Sequence, residues 1–360
     1  GNSFMNDLYL SQFDPYAECI TPQHPICKPK FPVFDMHTHM GNLVPGPGYA
    51  ALYNTADYVE ALQDAGVAHI VNLDGVWGNE LDAMIRKTEG FENYITTFVW
   101  IDVSRIDDPD FKQWVCNHLM EAYRKGARGI KMWKVISLEY RDTYGRYIRT
   151  DDSRLDVVYQ TAAELHMPIL IHIADPVAFF KPADRHNERF EELNCHPDWQ
   201  FGKPGQLCFE ELMDMQDRMV ENHPQTTFII AHFGSYAENL KHVALRLDRY
   251  DNMYVDMAAR VAELGRVPYS SKAFFETYSE RIVFGTDCCP LDLGQHSIYY
   301  RFLETMDEYF PYQPNGELPG QGRWRIYGIG LSDEILRKVY YQNACRIMNM
   351  DEQQFLIQNK

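Results

Sequence analysis

Residues 32–39 read PVFDMHTH, a short apolar run that ends in two histidines. A continuous apolar run of this length is typical of a parallel strand that is buried on both faces. Seven further candidate strands follow, at 68–73, 95–101, 128–133, 168–173, 226–231, 253–256 and 281–286. With the first run taken as a strand over 32–36, the sequence predicts eight parallel strands.

Amphipathic helical patterns lie between these strands. The clearest apolar stripes, spaced for one helix face, run over 111–123, 153–165, 209–220, 240–247 and 332–348. Ser153 and Asp156 are placed as a capping box for the second of these helices. Eight strands that alternate with helices predict an α/β protein, a (β/α)8 TIM barrel formed by a single domain over residues 31–360. Residues 1–30 are predicted to form an N-terminal extension.

Two insertions interrupt the alternation of strands and helices. Residues 174–207 follow the fifth strand and are rich in aromatic residues, histidine, arginine and proline. Because βα loops form the active-site face of a barrel, this insertion should border or cover the site as a lid loop. Residues 310–330 form the second insertion, for which the sequence leaves open a position over the site or under the barrel.

The composition is that of a globular protein and excludes several classes of function. The 360 residues include 34 basic and 51 acidic side chains, a net charge of −17, and no basic stripe offers itself to nucleic acid or to an anionic membrane. No apolar run approaches the roughly 20 residues of a membrane-spanning helix. We therefore expect a small-molecule substrate as the partner, with a homo-oligomer left open.

Cysteine usage and the first residues bear on the cellular compartment. The eight cysteines show no C-x-x-C spacing, which favours free thiols in a reducing, cytoplasmic environment. The first ten residues, GNSFMNDLYL, do not have the pattern of a signal peptide, but they start at Gly1 rather than at a methionine. A removed export signal therefore stays open beside the cytoplasmic expectation.

The strongest chemical signal is the pair His37 and His39 at the end of the first strand. Side chains alternate along a strand, so both imidazoles point to the same side, where they can share one metal ion. The alternative is a pair of surface histidines in a loop. The strongly apolar strand before them favours the metal site.

Three more polar residues follow buried apolar runs. His172 comes after PILI, His232 after FIIA and Asp287 after IVFGT. A lone histidine in such a position is more often a hydrogen-bonded core residue. Together with the first pair, however, these residues make five at the ends of strands one, five, six and eight. Burying so many polar groups is costly unless something pairs with them, and a metal ion does so.

On these residues the chain resembles the amidohydrolase superfamily, and more narrowly its amidohydrolase-related (amidohydrolase 2) branch of metal-dependent TIM-barrel hydrolases. The resemblance runs from about Phe31 to Met348 and rests on the motifs FDMHTHMG, GIKMWK, PILIHIADP, FIIAHFGS, RIVFGTD and YQNACRIM. It implies a distorted (β/α)8 barrel with a divalent metal, usually zinc, at the barrel mouth. The metal ligands that it implies are His37, His39, His172 and Asp287. For His232 it implies either polarisation of the substrate or a place at a second metal.

Lys131 lies in the fourth predicted strand, within GIKMWK. In binuclear members of the superfamily a lysine at this strand is carbamylated and bridges two metals. In the branch that this chain resembles, a lysine in such a motif is common without that role. A buried lysine without a partner shifts its pKa or recruits an anion, so a substrate or structural contact is favoured over a bridge. Trp133, on the same strand face, is a second candidate substrate contact.

Three further residues are candidate substrate contacts. Arg260 follows the seventh strand, and its planar fork suits a carboxylate, but it is equally placed to pair with Glu263. His186 and Arg189 lie in the first insertion, where a solvated or loop-structuring role is the alternative for each.

The resemblance and these residues together predict a metal-dependent hydrolase. Asp287 would take a proton from a metal-bound water, and His232 would hold the carbonyl oxygen of a small amide, ester or lactone. The alternative is a lyase of the same branch, a non-oxidative decarboxylase or hydratase of a small carboxylic acid, because both reactions need the same ligands. A third interpretation, a metal-free binding barrel, predicts a lost ligand, whereas all five residues are present.

Overall fold

The computed structural model describes residues 7–41, 54–288, 294–313 and 320–359. Within these ranges eight parallel strands form one sheet, in which each strand lies beside the next one in the chain. The strands are β1 (Val33–Thr38), β2 (Val67–Val76), β3 (Ile95–Trp100), β4 (Gly129–Met132), β5 (Ile169–Ile171), β6 (Phe228–Ile230), β7 (Met253–Asp256) and β8 (Ile282–Val283). The eight predicted strands and the (β/α)8 barrel are confirmed.

The sheet closes between β1 and the residues that follow β8. The backbone N–H of Met36 donates to the carbonyl oxygen of Phe284 at 3.0 Å. Further along, the N–H of Asp287 donates to the carbonyl oxygen of His37 at 2.7 Å. Thr38 also forms a parallel bridge with Cys288. The backbone contacts that close the barrel therefore bring His37 and Asp287 side by side.

Helices surround the barrel and follow the predicted order. They are α1 (Thr55–Asp64), α2 (Gly78–Thr88), α3 (Phe111–Lys125), α4 (Val135–Leu138), α5 (Asp156–Glu164), α6 (Phe190–Cys195), α7 (Phe209–Asn222), α8 (Leu240–Arg249), α9 (Val261–Leu264), α10 (Pro268–Thr277), α11 (Gly294–Glu304), α12 (Asp333–Arg337), α13 (Asn343–Ile347) and α14 (Glu352–Gln358). A π-helical segment, Lys338–Gln342, joins α12 to α13, so the closing helix predicted over 332–348 is present. Short 3-10 turns lie at Leu10–Gln12, Val103–Arg105, Ser153–Leu155, Val177–Phe180 and Pro197–Trp199, and β6 runs into a tight turn at Ala231–Gly234.

The start of α5 differs from the prediction. Asp152 accepts the backbone N–H of Arg154 at 2.8 Å and begins the 3-10 turn that precedes the helix. Leu155 then occupies the N-cap position of α5 and makes no side-chain cap. The predicted capping box of Ser153 and Asp156 is therefore wrong. Asp152, one residue before Ser153, caps this segment instead, because its side chain accepts a backbone N–H that the turn leaves free.

The core consists of the strands and the helix faces that cover them. Every residue of β1, β4, β5, β6 and β8 is buried, as expected for parallel strands that are covered on both faces. Packing is tight enough to require a glycine in β4, because a Cβ at Gly129 would lie 2.2 Å from Cζ of Phe98. Each buried valine, leucine or isoleucine side chain contributes about 1.5–3 kcal/mol relative to exposure.

The N-terminal extension, described from residue 7 onward, contacts the second insertion and the segment before it. The ring Nδ1 of His24 lies 2.5 Å from Oδ1 of Asp307. Arg323, in the second insertion, donates to the carbonyl oxygen of Phe13. The extension is thus joined to the barrel by polar contacts, and a domain boundary at residue 30 stays a prediction.

Two sequence expectations concern membrane-spanning helices and the state of the cysteines. None of the helices in the described ranges combines the length and the apolar character that crossing a bilayer requires. The described cysteines are free, namely Cys19, Cys27, Cys116, Cys195, Cys208, Cys288 and Cys345. Cys289 lies outside the described residues.

Candidate active site

Three of the predicted metal ligands converge at the carboxyl end of the barrel. His37, His39 and Asp287 each offer one ligand atom, and these atoms all lie within 4.8 Å of one another. Oδ1 of Asp287 lies 2.9 Å from Nε2 of His39 and 3.3 Å from Nε2 of His37. The alternation of side chains in β1 and the closure of β1 on β8 together produce this cluster.

Asp287 adopts a backbone conformation that is uncommon for a residue with a side chain. Its φ is +62°, in the left-handed region, which costs free energy and is found most often at functional sites. Removal from water on its own would raise the pKa of Asp287, but His37 and His39 hold that pKa well below its usual range. The carboxylate is therefore ionised, and with 32 % of its side chain exposed it is accessible to a ligand.

His37 is oriented by Asp256, the last residue of β7. Its Nδ1 lies 2.8 Å from Oδ2 of Asp256, so the ring donates its N–H there and presents Nε2 to Asp287. Burial on its own would lower the pKa of His37, but Asp256 and Asp287 outweigh burial and raise the pKa to about 9. Asp256 is not among the site residues predicted from the sequence. The signal that could have identified it is a carboxylate at the end of the buried run MYVD.

His39 is held by its contact with Asp287 at Nε2 and by packing of its ring. Its ring stacks on the indole of Trp133, with centroids 5.3 Å apart and planes at 26°. Nδ1 of His39 has no hydrogen-bond partner among the described residues, and Oδ1 of Asp74 lies 3.6 Å away. Gly75 leaves room for Trp133, because a Cβ there would lie 2.4 Å from Nε1 of the indole.

His232 lies on the other side of Asp287, in the tight turn after β6. Its φ of +57° directs the ring inward, and Nδ1 lies 2.8 Å from the carbonyl oxygen of Ala258. Nδ1 must donate in this contact, which leaves Nε2 without a proton in the neutral ring. Nε2 faces Oδ2 of Asp287 at 3.9 Å. Burial lowers the pKa of His232, and Asp287 offsets this only in part, so the neutral form is favoured.

His172, the fourth predicted ligand, is not part of the cluster formed by His37, His39 and Asp287. Its ring contacts that of His232, with centroids 4.3 Å apart, and its Nε2 lies 2.9 Å from Oδ1 of Asp175. Asp175 also pairs with Lys134 at 2.6 Å. Burial and the neighbouring His232 lower the pKa of His172 to about 3, so the neutral ring donates Nε2–H to Asp175 and keeps Nδ1 as an acceptor.

Lys131 lies fully buried in β4, with its ammonium 4.9 Å from the ring of Trp133. Nζ has no hydrogen-bond partner within the described part of the chain. Burial lowers the pKa of Lys131 to about 8, and the negative charges of Asp287 and Asp256 limit the decrease. Burying an ammonium group without a hydrogen-bond partner costs free energy, unless a bound ligand accepts its hydrogen bonds.

Of the other predicted substrate contacts, both arginines lie in a buried ion-pair cluster. Glu263 accepts from the guanidinium groups of Arg189 and Arg260. Arg189 also pairs with Glu192 at 2.8 Å, and Arg260 also pairs with Glu238. Arg260 therefore pairs with Glu263, which was the structural alternative to a substrate contact.

His186, the remaining predicted substrate contact, is exposed, and its Nε2 lies 3.2 Å from Nε of Arg185. It does not line the cavity beside Asp287.

A cavity of about 360 Å³ opens beside Asp287 between the two insertions. The first insertion contributes Glu192, Cys195, His196 and Trp199, and the second contributes Tyr312, Gln313, Gly320 and Gln321. The first insertion therefore borders the site as predicted, and the second also lies over the site rather than under the barrel. A cavity of this size accommodates a small molecule.

The converging side chains fit a divalent cation. Two imidazole nitrogens and one carboxylate oxygen form the donor set of known catalytic metal sites, which leave a further position open. The other nitrogen of His37 is bound by a carboxylate, as is usual for a metal-ligating histidine. His37, His39 and Asp287 could therefore hold a divalent metal, and the side chain of Asp287 lines the adjoining cavity.

The fold and the site define a class, a (β/α)8 barrel with a candidate divalent-metal site at the carboxyl ends of its strands. The particular family follows from its sequence: a family model described as Amidohydrolase matches residues 34–349, and the chain belongs to that family. A search of curated proteins finds no match to this chain.

Solved structures with the same fold include decarboxylases and a hydrolase. Dihydroxybenzoic acid decarboxylase from Polaromonas sp. JS666, with bound manganese and the inhibitor 2-nitroresorcinol, is 13% identical over 91% of this chain and 99% of its own, with a TM-score of 0.57. 2,6-Dihydroxybenzoate decarboxylase from Rhizobium is 14% identical over 89% of this chain and 99% of its own, with a TM-score of 0.52. A probable 2-pyrone-4,6-dicarboxylic acid hydrolase from Acinetobacter baumannii is 10% identical over 88% of this chain and 99% of its own, with a TM-score of 0.51. At these identities the likeness establishes the fold.

Proposed function

We propose that this protein is a metal-dependent hydrolase that cleaves a small amide, ester or lactone. The observation that supports the proposal most directly is the position of Asp287. Its Oδ1 lies between the Nε2 atoms of His37 and His39, while its Oδ2 faces His232, and its side chain lines the cavity. One carboxylate can thus contribute to ion binding and proton transfer at two different oxygens.

We propose zinc as the resident ion, held by His37, His39 and Asp287 and completed by Nδ1 of His172. Imidazole ligands suit zinc, and sites of this type bind zinc more tightly than manganese. A bound divalent ion supplies an activated water at neutral pH and polarises a carbonyl oxygen. Metal analysis of the purified protein should give about one zinc per chain. One manganese per chain instead would reject the proposal that the ion is zinc, but it would support the proposed metal site.

The side chains around the ion have separate tasks in this proposal. Oδ2 of Asp287 accepts the proton of the attacking water and later returns it to the leaving group. His232 donates Nδ1–H to Ala258, so its Nε2 must gain a proton before it can donate to an oxyanion. The proximity of Nε2 to Oδ2 of Asp287 supports passage of the water's proton from Asp287 to Nε2 while the oxyanion exists, and its return through Oδ2 to the leaving group when the oxyanion collapses. His232 is thus proposed as the residue that stabilises the developing negative charge.

A decarboxylase or hydratase of a small carboxylic acid is the second candidate, and one observation favours it. The buried ammonium of Lys131 has no hydrogen-bond partner among the described residues, and a substrate carboxylate would provide one. Two of the solved structures with this fold are decarboxylases of dihydroxybenzoates. In this reading Lys131 and Trp133 bind the substrate rather than a second metal.

A substrate panel separates the two candidates. The zinc-loaded protein is assayed on lactones, esters and amides, and in parallel for carbon dioxide release from hydroxybenzoates and dienoic acids. We expect turnover in the first set. Carbon dioxide release without any hydrolysis would reject the hydrolase and establish the lyase.

Asp287→Asn tests the proton carrier. The variant should retain its fold and lose at least about 10²-fold in kcat, because the amide cannot accept the proton. Asp82→Asn, which removes a surface carboxylate paired with Lys125, is the matched control and should keep full activity. Undiminished turnover in Asp287→Asn on the substrate found in the panel would eliminate Asp287 as the acid/base.

A further inference from the structure

His172 is held by a carboxylate and a lysine that come from two neighbouring loops. Its Nε2 lies 2.9 Å from Oδ1 of Asp175, and Oδ2 of the same carboxylate lies 2.6 Å from Nζ of Lys134. Lys134 follows β4, whereas His172 and Asp175 follow β5. Each oxygen of Asp175 thus accepts from a different donor, and the three side chains form one hydrogen-bonded chain.

Backbone hydrogen bonds fix both ends of this chain. The N–H of His172 donates to the carbonyl oxygen of Met132 at 3.0 Å, which extends the pairing of β4 with β5 by one residue. The carbonyl oxygen of Lys134 accepts from Ser137 and Leu138 in α4, at 3.2 and 3.1 Å. The histidine and the lysine therefore start from ordered backbone.

The pair of Lys134 and Asp175 is partly shielded from water. The side chain of Asp175 is 9% exposed and that of Lys134 is 29% exposed. Nζ of Lys134 lies 5.2 Å from the ring centre of Phe201, which belongs to the first insertion. Because solvent screens this pair less than it screens a fully exposed one, the carboxylate is held firmly in place.

The carboxylate determines which ring nitrogen of His172 is left for another ligand. An ionised carboxylate accepts but does not donate, so Nε2 carries the proton and Nδ1 of the neutral ring carries a lone pair. The ring of His172 also lies against that of His232, with centroids 4.3 Å apart, and Nε2 of His232 faces Asp287. His172 is thus held between the two loops and the candidate metal site.

We propose that Asp175 and Lys134 are positioning residues that keep Nδ1 of His172 available to the metal ion. This role rests on the proposed metal site, in which His172 is the fourth ligand. Asp175 fixes the tautomer and the orientation of the ring, and Lys134 fixes the carboxylate. Asp256 holds His37 in the same way, so two of the proposed ligands are each backed by a carboxylate.

Replacing Lys134 separates positioning from a simple effect of charge. Lys134→Met removes a positive charge behind a proposed ligand, which by Coulomb's law alone should raise the affinity for a divalent cation. Because Lys134 fixes Asp175, we expect the zinc affinity to fall several-fold instead. Competition with a fluorescent zinc chelator measures it. Equal or tighter zinc binding in Lys134→Met would overturn the role of Lys134.

Two further lysine variants serve as controls. Lys134→Arg keeps the charge and can still donate to Asp175, so its zinc affinity should stay within about twofold of the parent. Lys125→Met breaks a pair with Asp82 that has a similarly exposed lysine and lies outside the site, and it should leave the affinity unchanged. An equal fall in Lys125→Met and Lys134→Met would contradict a specific role for Lys134.

Asp175→Asn replaces one acceptor oxygen by a donor. Its NH₂ group must face either Nε2–H of His172 or Nζ of Lys134, and both arrangements set donor against donor. The zinc affinity should fall by about 10- to 100-fold, as expected for loss of the partner of a metal-ligating histidine. An affinity equal to that of the parent would show that Asp175 does not position His172.

The visible absorption of the cobalt-loaded protein reports the ligands themselves and does not depend on turnover. His172→Ala supplies the reference for a site that lacks this ligand. At saturating cobalt, the spectra of Asp175→Asn and Lys134→Met should shift toward that reference, whereas Lys134→Arg and Lys125→Met should match the parent. Melting temperatures near that of the parent show that each variant is folded, and Lys134→Met carries the comparison if Asp175→Asn is not.

The outcomes distinguish this proposal from the ones on which it rests. Parent-like spectra in Asp175→Asn and Lys134→Met, with an altered spectrum in His172→Ala, would overturn the positioning role alone. Identical spectra in the parent and His172→Ala would reject His172 as a ligand and the positioning role with it. Failure of every ester, lactone and amide in the substrate panel would reject the hydrolase but leave the cobalt spectra as they are.

Discussion

The carboxylate of Asp256 contacts three parts of the barrel at once. Oδ2 accepts from Nδ1 of His37 at 2.8 Å, and Oδ1 accepts the backbone N–H groups of His232 and Ala258, each at 3.0 Å. These contacts fix the tautomer of His37 and the left-handed turn that carries His232. One side chain of β7 therefore orients residues from β1 and from the end of β6.

Asp256→Asn should lower the affinity for the metal by about 10- to 100-fold, as expected for loss of the partner of a metal-ligating histidine. The two backbone donors require an oxygen at the position of Oδ1, so the new NH₂ group faces Nδ1 of His37. His37 then favours the tautomer with its proton on Nε2, the atom that faces the ion. Competition with a fluorescent zinc chelator measures the affinity. An affinity equal to that of the parent would show that Asp256 does not orient His37.

At the residue scale, the sequence predicts which side chains meet but not how each is held. His37, His39, His232 and Asp287 lie close together because the carboxyl ends of parallel strands meet at one face. The pairing of His37 with Asp256 spans 219 positions in the chain and leaves no local pattern. The contact of Nε2 of His172 with Asp175 spans only three positions, but it forms in irregular backbone after β5, where no periodic pattern predicts the direction of a side chain.

At the scale of elements, the strands were predictable because each is a short buried run with few polar interruptions. The ends of the strands were harder to predict. For example, β8 is only two residues long, and the backbone of 284–288 continues along β1 without regular strand geometry. The π-helical segment Lys338–Gln342 was not predictable, because five residues do not distinguish its period from that of an α-helix. Within it, the carbonyl oxygen of Val339 accepts the N–H of Phe284 at 3.1 Å.

The end of β2 supports the site through Gly75. Gly75→Ala should destabilise the protein by more than about 2 kcal/mol, since a left-handed φ of +75° is costly for alanine and the new Cβ would clash with Trp133. Because Trp133 stacks on His39, metal affinity should fall as well. Urea unfolding and chelator competition measure the two effects.

Gly78→Ala is the matched control for this change. Gly78 also has a left-handed φ, of +57°, but a Cβ there would meet nothing within 4 Å. It should cost only the backbone strain, about 1 kcal/mol, and leave metal affinity unchanged. Equal losses of stability and affinity in both variants would show that the contact with Trp133 is unimportant.

At the scale of the whole molecule, Arg323 connects the two insertions and the N-terminal extension into one contact layer. Arg323 of the second insertion pairs with Glu191 of α6 in the first insertion, and it donates to the backbone of Phe13 in the extension. The position of the second insertion could not be read from the sequence, because it is fixed by contacts between segments that are distant in the chain.

The ion-pair cluster around Glu263 anchors this layer. Glu263→Gln should reduce the free energy of unfolding by about 3–5 kcal/mol, because it leaves the buried guanidinium groups of Arg189 and Arg260 with less compensating charge. Urea denaturation measures the loss. Glu188→Gln, which breaks an exposed pair with Arg266, is the control and should cost no more than about 1 kcal/mol. A loss no larger than in this control would contradict a structural role for the cluster.

The same cluster predicts a dependence of stability on pH. Burial would raise the pKa of Glu263, but Arg189 and Arg260 lower it to about 2 from an ordinary value of 4.5. A lowered pKa stabilises the fold above pH 4.5, and this contribution, on the order of 3 kcal/mol, disappears as the pH falls toward 2. The difference in stability between the parent and Glu263→Gln should therefore shrink below pH 4.5. A constant difference from pH 7 to pH 3 would contradict the assignment.

Anomalous diffraction from a crystal of the zinc-loaded protein, recorded on both sides of the zinc absorption edge, shows whether His37, His39 and Asp287 hold a common ion. We expect one strong peak at the barrel mouth, about 2.0–2.2 Å from Nε2 of His37, Nε2 of His39 and a carboxylate oxygen of Asp287. A protein that binds zinc elsewhere, or that shows no peak between these three side chains, would contradict it.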